Sequence, residues 1–180
     1  IEMNLGLVPI RVDPFGTAEV VWSHRIDPAR AILRNVPLPQ CQRAFGDLIL
    51  HDGEPRGTRI LRDQKVSVFN ELQVLVPSTF STYEVQITAA DPATTGDLER
   101  LFIEDGAMED WTSSIETLCI HCSEGRPHDH HEMAPLEWQP ERTLGIAARE
   151  ETIVRDVLSR WQSSGSDRTV RQVTCVLQRS

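Results

Sequence analysis

Residues 83–102, YEVQITAADPATTGDLERLF, decide how the second half of this chain is read. Tyr83, Val85 and Ile87 fall on one face and Glu84, Gln86 and Thr88 on the other, the two-residue period of a half-buried strand. Asp91-Pro92 follows as a helix N-cap with proline in the first turn. Leu98, Leu101 and Phe102 recur at helical spacing, and Gly106 stands where a glycine closes a helix at C′.

Further along, SSIETLCIH (113–121) predicts a second strand and RTLGIAA (142–148) a third. Residues 151–164, ETIVRDVLSRWQSS, predict a second helix, its apolar stripe formed by Ile153, Val154, Val157, Leu158 and Trp161 and its end marked by Gly165. TVRQVTCVL (169–177) closes the series, with Val173, Cys175 and Leu177 sharing a face. The order β-α-β-β-α-β predicts a ferredoxin-like α+β domain over residues 81–180. Residues 1–80 have another texture. AEVVWSH, AILRNVPL, FGDLILHD, TRILRD and VSVFNELQVLV are short apolar runs punctuated by DP, DG, EPRG and RDQ. They predict a small antiparallel β lobe or partial barrel, with Asp52-Gly53 as a turn and Pro37 and Pro39 at an edge or in a loop.

With 180 residues, 39% apolar and 25% charged, the chain can bury a core without staples. Its net charge of −9 argues against nucleic acid and anionic membrane as partners, because both need a dense positive footprint. A basic protein partner remains open, beside the plainer reading of a solubilising surface. Lys65 is the one lysine among eighteen basic residues, the mark of a GC-rich bacterial genome. No run approaches the ~20 apolar residues of a membrane span, and no signal peptide is visible. Cysteines 41, 119, 122 and 175 do not form a disulfide framework, so a reducing cytoplasm is expected.

The segment CIHCSEGRPHDHH (119–131) gathers two cysteines and four of the six histidines. It falls in a long connection, 119–141, of a length that is uncommon in a compact domain unless the loop is functional, ordered by a ligand or disordered. Cys119 and Cys122 have the C-x2-C spacing that grips one zinc ion from a tight turn, and Gly125 lets the backbone return. His128 and His130 share a face in extended chain, which makes Cys119, Cys122, His128 and His130 the expected zinc ligands, with His131 as substitute. A solvated polar loop and thiol chemistry are the competing readings. A redox dithiol needs a helix starting at its first cysteine, and Gly125 and Pro127 oppose one. The H-x-E…P-C-x-x-C and H-E-x-x-H patterns of catalytic zinc are absent, and four protein ligands leave no open position, so structural zinc is preferred.

Elsewhere, Cys175 reads as a core cysteine, Cys41 as a lone loop thiol, and His24 and His51 as surface or satisfied structural histidines. Trp22 and Trp161 read as core. Trp111 and Trp138 read as partly buried, or alternatively as an aromatic partner surface. No nucleophile elbow, phosphate loop or dinucleotide fingerprint occurs, and no catalytic residue is assigned. The expected function is therefore a non-enzymatic protein-binding or adaptor protein with a zinc-ordered loop, suited to neutralising a basic partner. The rivals are a zinc-dependent hydrolase that frees one histidine for water, and a metal sensor.

Overall fold

Each short apolar run of the N-terminal half becomes a strand, and the turn residues between them bend the strands into a ring. The structure, a computed structural model, describes residues 5–61, 64–102, 106–117 and 137–180. Two compact units divide the chain, with residues 5–78 in the first and Thr79–Glu116 together with 137–180 in the second.

The first unit contains β1 (Leu7–Val12), β2 (Glu19–Arg25), β3 (Arg30–Leu33), β4 (Leu48–His51), β5 (Gly57–Leu61) and β6 (Gln64–Val76). β1, β2, β3, β4 and β6 form a closed five-stranded barrel. Each of these strands runs antiparallel to the one before, so the fifth points the same way as the first. An odd-numbered ring of this kind closes only through a parallel seam, here Ile10 opposite Phe69 and Arg11 opposite Asn70. β6 is long enough to serve three neighbours in succession. Its first part pairs with β5, its middle with β1, and its last part with β4. Register shifts at Leu48/Ile49 and Leu50/His51 bend the β4–β6 ladder, as closing a small barrel requires. Ile10, Val12, Val21, Ala31, Leu33, Cys41, Ile49 and Phe69 make the core.

The second unit is a four-stranded antiparallel sheet in the order β10-β7-β9-β8, built from β7 (Ser81–Ala89), β8 (Gly106–Asp110), β9 (Glu141–Ala148) and β10 (Arg168–Leu177). Helices α1 (Pro92–Leu101), α2 (Trp111–Thr117) and α3 (Glu151–Ser163) complete it. Asp91 caps α1 by accepting from Thr94 N. Leu98 and Phe102 from α1 and the following residue pack with Val154, Val157, Leu158 and Trp161 of α3 against Tyr83, Val85, Ile87, Leu144 and Ile146. The Trp161 indole, buried among them, donates to Thr94 O at 2.9 Å.

These observations overturn the ferredoxin-like α+β assignment. Among the described residues strands account for 47% and helices for 20%, which makes the protein mostly β, and the N-terminal lobe is a closed barrel with a parallel seam. The error in the second unit has a local cause. Residues 113–117, expected in a strand, belong to α2, and the second strand is the earlier Gly106–Asp110. Asp110 starts the helix, because its carboxylate accepts from Ser113 N at 3.2 Å and Ser113 Oγ at 3.0 Å. Trp111 then lies over Gly145 of β9, where a Cβ would stand 2.2 Å from the indole. Gly106 also has a second role. Its amide returns to Phe102 O at 3.0 Å, and its bare Cα lets β8 approach β9, where a Cβ would meet Ala147 O at 1.9 Å.

Candidate functional site

The turn between β1 and β2, Asp13-Pro14-Phe15-Gly16-Thr17-Ala18, is held by its first residue. Asp13 has a positive φ of 45°, and its carbonyl accepts from Gly16 N and Ala18 N, each at 3.0 Å. Its carboxylate accepts from Thr17 N at 2.8 Å and Thr17 Oγ1 at 3.1 Å. Gly16 makes that curl possible, since a Cβ there would lie 2.2 Å from Asp13 Oδ2. The outcome is a turn with a fixed backbone that holds Phe15 98% exposed. Sequence reading passed over Phe15. The available signal was Asp-Pro and Gly-Thr bracketing an aromatic residue, a pattern that puts the bracketed side chain at a turn tip.

A buried ion pair anchors this turn to β6. Glu71 is 4% exposed and takes Asp13 N on Oε2 at 3.2 Å. Its other oxygen accepts from Arg43 Nε at 2.8 Å and Nη2 at 2.7 Å. Burial works against the Arg43 charge, and the bond and charge of Glu71 outweigh it, so the guanidinium pKa lies above its ordinary value. Arg43 also donates to Cys41 O at 3.2 Å. Cys41 is a buried core residue in a short 3-10 turn, Pro39–Cys41, and so differs from the loop thiol expected. Burial, with Glu19 adding to it, pushes its thiol up to about 12, which removes it as a nucleophile at neutral pH.

At a different place in the barrel, His51 is 2% exposed, although a surface or satisfied histidine was expected. Its Nδ1 lies 2.7 Å from Asp52 O, while Nε2 is buried without a hydrogen-bond partner among the described residues. Trp22 is half-buried and lies outside the core cluster.

In the second unit, Arg142 is 3% exposed and binds Asp110 Oδ2 through Nε at 3.1 Å and Nη2 at 2.7 Å. It also donates to Ser113 Oγ and stacks 4.4 Å from the Trp138 ring centroid. Trp138 in turn donates to Ala89 O at 3.0 Å. This cluster joins the end of β8, the first turn of α2 and the start of β9. Trp111 is 3% exposed and Trp138 is half-buried in these contacts, so the two are packing residues and not an open aromatic surface. The expected zinc ligands Cys119, Cys122, His128, His130 and His131 lie outside the described residues. Among the described residues, no group of three or more histidine, cysteine or acidic side chains is placed to hold a metal ion. No helix among them is long and apolar enough to cross a membrane.

Comparison with protein-family models, curated proteins and solved structures finds no match for this chain.

Proposed function

We propose that this chain is a non-enzymatic recognition module that binds a protein partner through the Phe15 turn. The observation that carries this reading is a phenylalanine left 98% exposed on a backbone fixed by four internal hydrogen bonds and a buried glutamate. Aromatic side chains, phenylalanine among them, are enriched at protein interfaces, and a turn already ordered loses little entropy when it docks. The net charge of −9 favours a basic partner by long-range attraction. A zinc ion held by Cys119, Cys122, His128 and His130, with His131 as substitute, supplies a second ordered element in the same proposal.

A photo-crosslinking amino acid at position 15 tests the reading in cells. A discrete protein adduct that weakens with salt, and that is absent when the crosslinker sits at exposed Thr58, supports it. No adduct, or the same adducts from both positions, overturns it. The Cys–His segment keeps the zinc hydrolase and metal sensor as second readings, and metal analysis of untagged protein separates them. One tightly held zinc that Cys119→Ser removes fits a structural ion, whereas metal exchanging at cellular concentrations fits a sensor. Metal-dependent turnover with an open coordination position fits the hydrolase.

A further inference from the structure

We propose that His51 makes the barrel an acid-labile element that opens more often under mild acid and, on opening, releases the Phe15 turn. The inference stands on the barrel's geometry and does not depend on any partner. His51 is the last residue of β4, and its amide donates to Ala29 O at 2.8 Å. A carbonyl only accepts, so the 2.7 Å contact with Asp52 O assigns the ring hydrogen to Nδ1. Nε2 is then a bare lone pair, buried and without a partner among the described residues. A neutral ring tolerates this. A protonated ring does not, because it would carry a buried N–H donor with no acceptor.

The surroundings offer the extra charge only partial relief. The Phe69 ring of β6 lies 5.2 Å from the imidazole, and the Arg25 guanidinium of β2 sits 5.2 Å from the centroid of the same ring. Three carboxylates belong to the neighbouring elements, and each is already engaged. Asp27, in the turn before β3, accepts from the amides of Ala29 and Arg30 and pairs with the Arg30 side chain. Asp52, next along from His51, accepts from Asn70 N and pairs with Arg56. Glu71, opposite His51 in the β4–β6 ladder, holds Arg43 and Asp13 N. Burial, with Arg25 adding to it, keeps the His51 pKa below its ordinary value of 6.5, and the Asp52 carbonyl bond and the charges of Asp52 and Asp27 only partly oppose this.

The direction of the pH effect follows. The unfolded chain takes up the proton near 6.5, before the folded ring does. Stability is therefore complete above that pH and falls as the pH drops from there toward the folded value. One proton changes the opening equilibrium by at most about tenfold per pH unit. Because Glu71 faces His51 and also tethers Asp13, parting of the ladder at this position frees the turn that carries Phe15.

Amide hydrogen exchange on the full chain at pH 7.5, 6.5 and 5.5, corrected for intrinsic rates, tests the proposal. The β4–β6 amides are expected to lose up to about tenfold in protection between pH 7.5 and 5.5, with Gly16, Thr17 and Ala18 following. The β7–β9 ladder should hold its protection. His51→Asn keeps a donor toward Asp52 O and cannot take up a proton, so it should flatten the response, whereas His24→Gln should retain it. The imidazole of wild-type His51, followed by NMR, should stay neutral below pH 6.5 while the barrel remains closed, and this measurement does not depend on a variant that folds. Unchanged barrel protection across the range overturns the proposal. So does an undiminished loss in His51→Asn, or a ring that titrates at 6.5 with the barrel intact.

Discussion

The two units bury polar groups to different ends. In the barrel, buried Asp47 and Glu71 are bracing groups: Asp47 accepts from Ala44 N at 2.9 Å and Ser78 N at 2.7 Å, and Glu71 ties Arg43 to the Asp13 turn. In the sheet unit, the core beneath α1 and α3 is an apolar layer of Tyr83, Phe102, Leu144, Ile146 and Trp161. Its buried cation, Arg142, lies with Asp110 at the ends of β8 and β9. A small ring of short strands leaves little internal volume for large side chains, so part of its order comes from carboxylates that hold loops. A sheet covered by two helices can instead use wide aromatic surfaces. The first kind of order responds to charge and pH, and the second to volume.

Substitutions can break that contrast in order of size. Trp161→Ala removes the largest fully buried side chain among the described residues and a hydrogen bond, and it should destabilise the sheet unit by about 4 kcal/mol, read by denaturant unfolding with exchange resolved by unit. Glu71→Ala leaves Arg43 without its carboxylate and should cost the barrel about 3 kcal/mol. If Glu71→Leu, which also lacks the carboxylate but fills the space, restores most of that loss, charge pairing is not the cause and the contrast fails. Asp91→Ala removes the α1 cap and should cost about 1 kcal/mol in the sheet unit alone. Phe15→Ser should change stability by no more than about 0.5 kcal/mol, because the side chain is almost wholly exposed. A larger loss would mean that Phe15 packs within the fold and is not held out for a partner.

Local order was the legible part of the sequence. The Asp91-Pro92 start of α1 and the stripe Val154, Val157, Leu158 and Trp161 of α3 appear where capping chemistry and helical period place them. The same reasoning failed at residues 113–121, because Ile115 and Thr117 suggest a strand while the Asp110 cap and the space above Gly145 settle 111–117 as helix. Leu101 shares the apparent stripe with Leu98 and Phe102 yet stays exposed, since the packing face of α1 is narrower than the periodicity implied. For the candidate site, the Cys–His segment stands out in the sequence because ligand spacing is local, and it lies outside the described residues. The residues around Phe15 mark its place at a turn tip, but its exposure was not legible, because an aromatic residue in a turn has the same sequence whether it folds inward or outward.

By itself the sequence determined the short-range features: strand lengths, caps, turn positions and a strongly acidic balance, all governed by neighbours within a few residues. Only the tertiary structure decided that the first strands close into a ring through the parallel pairing of Ile10 with Phe69. It likewise decided that His51 lies inside with one nitrogen unmet, and that Glu71 reaches the Phe15 turn. The physical reason is range. A seam between distant strands, and the burial of one polar side chain, depend on the whole ring closing, and no local pattern encodes that closure.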